Sequence, residues 1–135
     1  MDALQVRATS ADTDDVIVSS SGGSLKLDYA DREGRRLLCP VELLSAALAG
    51  CTAMTVRAVA AARGYPLEQV DVDVGTTPDY GRSPGAAHRV RISLRGDLDD
   101  KARTILYRSA KACHVHKILS GENSFVFELA TGGNE

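Results

Sequence analysis

The sequence predicts a single α+β domain spanning residues 1–135, with elements in the order β-β-(β)-α-β-β-α-β. Three observations carry this. Several short segments alternate apolar and polar residues with a period of two. One long apolar stretch has a helix start signal and a helix stop signal. A later segment opens on clustered acids, as helices do. A chain of 135 residues is the size of one domain, two layers around a single core.

In chain order, Val16 and Val18, then Leu25, Leu27 and Tyr29, alternate with polar residues as half-buried strands do. SSSGGS at 19–24 and ADREG at 30–34 are turn clusters, and Leu4 to Ala8 reads as a further strand. The long helix opens at Cys39-Pro40-Val41-Glu42, with proline at the first helical position and an acid in the first turn. It runs to about Arg63, where Gly64 and then Tyr65-Pro66 stop it. Between Leu43 and Ala62 its only charged residue is Arg57. A helix this apolar is buried on more than one side, which in a small chain calls for a partner subunit. Val70, Val72 and Val74 then alternate with Asp71 and Asp73, and Val90, Ile92 and Leu94 alternate with arginines, so a pair of strands is expected with Asp facing Arg on the wet side. The connection at 76–88, TTPDYGRSPGAAH, reads as a long, mobile loop. A second helix starts at Asp97-Leu98-Asp99-Asp100 and is expected to reach Cys113. HVHKILSGEN follows as a short helical turn, and Ser124 to Leu129 reads as a last strand.

Composition excludes some functions. Sixteen basic and eighteen acidic residues are mixed along the chain for a net charge of −2, and aromatic residues are 4%. Neither the basic stripe nor the stacking surface of a nucleic-acid binder is present. The N-terminus MDALQVRATS lacks a basic region followed by an apolar run, and the weakly charged stretch 43–56 is short for a span of about 20 residues. The expectation is a cytoplasmic protein that engages neither membrane nor nucleic acid. Its three cysteines are then buried fillers, redox thiols or metal ligands rather than a disulfide framework.

Cys51 and Cys113 each fall on an apolar helical face, with Leu44, Ala47 and Leu48 beside the first and Ala102, Leu106 and Ala110 beside the second. Periodicity leaves them open as core residues or as a redox pair. Cys113-His114-x-His116 is a weak metal pattern without a second ligand pair, so no metal is assigned. Cys39 reads as a helix-start residue about 18 Å along the helix from Cys51. His88 reads as a surface residue at a strand start.

The segment Cys39-Pro40-Val41-Glu42-Leu43-Leu44-Ser45-Ala46-Ala47-Leu48-Ala49-Gly50-Cys51 resembles the P-x-E-L-L-x-A-A-L-x-x-C helix of the OsmC/Ohr family. Cys113-His114-Val115-His116-Lys117-Ile118-Leu119 resembles that family's C-P-V-H-K-x-L stretch, closer to the OsmC-like branch than to typical organic hydroperoxide reductases. The resemblance implies an intertwined homodimer in which antiparallel sheets wrap around long central helices. It implies a thiol peroxidase acting on alkyl or lipid hydroperoxides in oxidative stress defence. Cys51 would be the peroxidatic thiol and Cys113 the resolving one, reset by an external dithiol or a lipoyl-bearing protein, with no resident cofactor. The alternative is a non-catalytic relative holding a small apolar or electrophilic ligand in the dimer pocket. Thiol chemistry demands activation, because a thiol in apolar surroundings has a raised pKa. The reductases supply an Arg and a Glu. Here Thr13 or a neighbouring acid stands where that Arg is expected, and Val41 stands where the Glu is. Glu42 is nine residues before Cys51, about 180° around the helix and about 13 Å along it, out of reach of that thiol. Arg35 and Arg36, just before the helix, are the substitutes to test, and Glu42 and His116 are further candidate pocket residues.

Overall fold

The computed structural model describes residues 3–11, 15–81 and 84–130. The elements are β1 (Arg7–Thr9), β2 (Val16–Ser20), β3 (Gly23–Leu27), α1 (Pro40–Arg63), β4 (Leu67–Asp79), β5 (Gly85–Gly96), α2 (Asp100–Ser109), a 3-10 turn (Ala110–Ala112) and α3 (His114–Ser120). Strands β1-β2-β3 form one sheet in that order, and β4-β5 form a second. The chain divides into two compact units, residues 1–50 with 71–93 and residues 51–70 with 94–135.

In the first unit, β2 pairs antiparallel with β3, Val16 opposite Leu27 and Val18 opposite Leu25, and β1 pairs with β2. The loop from 28 to 38 is tied down by one carboxylate. Asp28 Oδ1 accepts from Arg32 at 2.6 Å, and Oδ2 accepts the backbone N–H groups of Arg36 and Leu37 at 3.2 and 3.1 Å. Its own N–H donates to the Leu38 carbonyl at 3.0 Å. Burial pushes the Asp28 carboxyl up, but the two backbone N–H groups and Arg32 together bring it below its ordinary value. A depressed native pKa means that this stabilisation is fully present above the unfolded carboxyl value, about 3.9, and is lost as the pH falls through the native one. Asp28→Asn is therefore expected to lower the thermal midpoint at pH 7, with the deficit against wild type closing as melts are repeated in increasing acid.

Helix α1 has the predicted bounds, and its ends show why. The Cys39 carbonyl accepts the first helical bond from Leu43 at 2.9 Å, so Cys39 is the N-cap and Pro40 the first helical residue. Glu42, three residues on, reaches back to the Cys39 N–H at 3.0 Å, the second half of a capping box. At the other end Gly64 takes φ 68°. Gly64 N–H donates to Ala61 O at 3.2 Å and Tyr65 N–H to Ala60 O at 2.9 Å, a Schellman stop. Leu48, Thr52, Val56 and Ala60 form the buried stripe at helical spacing. Leu44 and Met54 lie outside it, 42% and 74% exposed. Taken whole, α1 is long and apolar enough to cross a membrane, with mean hydropathy 1.5 over an 18-residue window, which residues 43–56 alone do not suggest.

Three expectations are corrected. Strands β4 and β5 are longer than the valine runs, taking in 76–79 and 85–88, so the expected long loop shrinks to the residues between Asp79 and Gly85. Thr76 and Thr77 are β-branched and suit the extended chain. On this ribbon Arg95 pairs with Glu68 at 3.7 Å and donates to Gln69 at 2.6 Å. The second helix stops at Ser109, tightens into the 3-10 turn, and breaks at Cys113, which has extended ψ of 135°. Residues 124–129 are not a strand. Phe125, Phe127 and Leu129 are 79%, 93% and 95% exposed, because a strand exists only against a neighbour to pair with.

In the second unit, Asp99 caps α2 by accepting the Ala102 N–H at 2.8 Å. Arg103 gathers the carbonyls of Leu94 and Leu98 at 3.1 and 3.3 Å and holds the turn that leads into the helix. Gly96 within it has φ 149°, and a Cβ there would collide with the Pro66 carbonyl oxygen. Gly96→Ala is expected to cost about 2 kcal/mol or more, read from denaturant midpoints, since neither the backbone angle nor the clash relaxes cheaply.

Candidate functional site

The second unit brings Cys51 and Cys113 together. Cys51 is half-buried on α1, and Cys113 is wholly buried in the break before α3. That break matters chemically. With α2 continued through residue 113, the following N–H groups would be consumed by helical bonds. Instead the Cys113 carbonyl accepts the first bond of α3, from Lys117 at 3.1 Å, and the N–H groups of His114 and Val115 are free of helical partners. They donate to the Cys51 sulfur, as does the Cys113 thiol. Thr55 Oγ1 gives its proton to the Cys51 carbonyl at 2.8 Å, and turned toward the sulfur it holds the thiolate instead. Burial pushes the Cys51 thiol up, but Cys113, the two N–H groups and Thr55 outweigh it and set the thiol below its ordinary value. These donors are neutral groups that stabilise a sulfur anion through hydrogen bonds.

One substitution isolates the backbone share. Proline at position 114 suits the first turn of a helix but carries no N–H. His114→Pro is expected to leave the fold intact and move the pH profile of Cys51 alkylation to higher pH.

The other residues singled out by sequence lie elsewhere. Arg35 forms an ion pair with Glu42, and the Cys39 N–H and thiol also donate to that carboxylate, so the two charges close around Cys39 at the helix start. The Cys39 N–H, then Arg35, hold Glu42 below its ordinary pKa, and the Glu42 hydrogen bond raises that of Arg35. Arg36 contributes its backbone N–H to Asp28. Thr13 lies outside the described residues. His116 is exposed and its Nδ1 sits 3.2 Å from the Lys111 carbonyl, so it ties the 3-10 turn to α3. Among the described residues no group of three or more His, Cys, Asp or Glu side chains gathers as a metal site.

Sequence reading missed a third cluster, in the first unit. Ser45 Oγ lies 2.6 Å from Thr76 Oγ1, which lies 3.0 Å from His88 Nδ1. His88 is half-buried rather than a surface residue. No local signal announces this chain, since it joins residues from α1, β4 and β5.

The OsmC-like protein family model matches residues 33–128, from before the α1 cap through both cysteine motifs. The chain belongs to the OsmC-like family. No curated protein matches this OsmC-like chain. Among solved structures, it resembles an OsmC-like protein from Mycoplasma pneumoniae, with 15% identity over 89% of each chain and a TM-score of 0.78. It also resembles a Legionella pneumophila protein described as an organic hydroperoxide resistance protein OsmC and predicted redox protein, with 19% identity over 90% of this chain and 91% of that one, TM-score 0.66. A third is the organic hydroperoxide resistance protein OhrB of Bacillus subtilis, with 17% identity over 88% and 91%, TM-score 0.65. At these identities the likeness shows the fold: α+β, with antiparallel sheets and a long helix.

Proposed function

We propose that this OsmC-like protein is a thiol peroxidase that reduces organic hydroperoxides through Cys51 and Cys113. The observation that carries the reading is the convergence of the Cys113 thiol and two N–H groups on the Cys51 sulfur. The Cys51 thiolate attacks the distal peroxide oxygen. The O–O bond breaks, the alkoxide leaves and takes a proton as the alcohol, and Cys51 becomes a sulfenic acid. The Cys113 sulfur then displaces water from it and forms a disulfide. An external dithiol, of free or lipoyl-bearing protein type, exchanges with that disulfide and regenerates both thiols. No resident cofactor or metal enters this cycle. Alkyl or lipid hydroperoxides suit the apolar faces that carry both cysteines.

The working form is proposed to be a cytoplasmic homodimer, without membrane or nucleic-acid partners. Its support is the apolar surface that a single chain leaves open: Leu44 and Met54 on α1, and Phe125, Phe127 and Leu129 beyond α3. The second reading is a binding module in which Cys51 traps a small electrophile. It is favoured by Arg35 being committed to Glu42. Intact-protein mass spectrometry after one equivalent of cumene hydroperoxide separates the two. The peroxidase reading expects a loss of two hydrogens that requires both Cys51 and Cys113, and a mass that stays unchanged or only gains oxygen refutes it.

A further inference from the structure

The Ser45–Thr76–His88 cluster plays no part in the thiol chemistry, yet it borders an open cavity of about 310 Å3 in the first unit. This is the lower end of the range for small-ligand pockets, roughly 300–1,000 Å3. Its walls are mostly apolar, from Val41, Ala46, Ala49 and Val74, and its polar atoms come from Ser45, Thr76 and Glu42. We propose that this cavity binds an uncharged, mostly apolar small molecule carrying one hydroxyl group, a substituted phenol or medium-chain alcohol, with that hydroxyl seated on Ser45 and Thr76.

The hydrogen-bond chain supports a hydroxyl in particular. Ser45 Oγ donates to the Val41 carbonyl at 3.1 Å, so the proton between Ser45 and Thr76 belongs to Thr76. Thr76 then accepts from His88 Nδ1–H. Each hydroxyl keeps a lone pair, so the pair can accept from a guest O–H. If Ser45 instead turns its proton toward a guest oxygen, the Thr76–His88 arrangement is undisturbed. A guest hydroxyl uses both options, donating and accepting, where a carbonyl uses one. Charge excludes the alternatives. Among the described residues that line the cavity none is cationic, so an anion would find no countercharge on its walls. The Glu42 carboxylate is already engaged by Arg35 and the Cys39 N–H, so it offers little to a cation.

The test is titration of 4-isopropylphenol into the full chain, followed by calorimetry and by the His88 imidazole NMR signals. Wild type and Cys51→Ser are titrated in parallel, so that binding at the thiol is separated from binding here. The expected result is saturable binding, equal in both proteins, that shifts His88. Ser45→Ala and Thr76→Val should each weaken it about tenfold, the loss of one hydrogen bond, and 4-isopropylbenzoate should bind about tenfold worse or less. The proposal is overturned by an absence of saturable binding, by benzoate binding as well as the phenol, by binding that survives Ser45→Ala and Thr76→Val unchanged, or by binding lost in Cys51→Ser. Should Thr76→Val fail to fold, Ser45→Ala, whose side chain is smaller and half-buried, carries the comparison alone.

Discussion

Cys51→Ser is expected to reduce turnover of cumene hydroperoxide, coupled to a dithiol reductant, by on the order of a thousandfold or more. The reaction needs a polarisable anion that attacks the O–O bond. The donors around residue 51 lower the barrier only by favouring an anion that the side chain can form at neutral pH. Serine keeps the place on α1, between buried Leu48 and Val56, but its hydroxyl stays protonated in the same surroundings. The helix should be unaffected, which circular dichroism checks. Cys39 is the internal control. It is buried in the helix cap beside Arg35 and Glu42, and Cys39→Ser should retain most of the turnover. Equal, slow peroxide loss by wild type and Cys51→Ser would remove the basis for a peroxidase.

Cys113→Ala is expected to separate the two half-reactions. Peroxide should still oxidise Cys51 once, leaving a sulfenic acid that dimedone captures, while steady-state turnover falls on the order of a hundredfold because no neighbouring thiol closes the disulfide. A second effect follows from the hydrogen bond. Cys113 is the first of the groups that favour the Cys51 thiolate, so its removal raises the Cys51 pKa. The sign is testable: at pH 7 the thiolate fraction falls, alkylation slows, and the profile inflects at higher pH than in wild type. Cys113→Ser divides these contributions, since a hydroxyl donates to the thiolate but cannot form the disulfide. An alkylation profile that is the same in Cys113→Ala and wild type would mean that the thiol–thiol bond does not hold the anion.

Local chemistry explains which parts of this fold are legible in the chain. The bounds of α1 follow from residues within one turn of each end: Pro40, Glu42 and Gly64 act on their own neighbours. Strands β2 and β3 follow from alternation and the turn between them. The end of α2 does not, because Ser109 to Ala112 have nothing against helix in their sequence. The chain tightens where Ala110 and Cys113 are buried, which is a tertiary matter. Residues 124–129 have the alternation of a strand, but pairing is a property of two segments. At the site, periodicity left Cys51 and Cys113 undecided between core residues and a redox pair, and the resemblance to a family pattern favoured the pair. The N–H groups at His114 and Val115 could not be read at all, since every residue but proline carries one. Ser45, Thr76 and His88 were invisible for a related reason. Their meeting depends on where β4 and β5 lie beside α1.

The break at Cys113 has an evolutionary consequence. Reactivity that resides in main-chain groups is passed on by the path of the chain and not by the identity of its side chains. Position 115 can drift through most of the amino-acid alphabet, proline apart, without losing the dipole that faces Cys51, whereas a proline at position 114, as in the C-P-V-H-K pattern, gives up one of the two N–H groups. A chain that keeps this path can therefore keep the Val115 donor while changing most of the side chains around it.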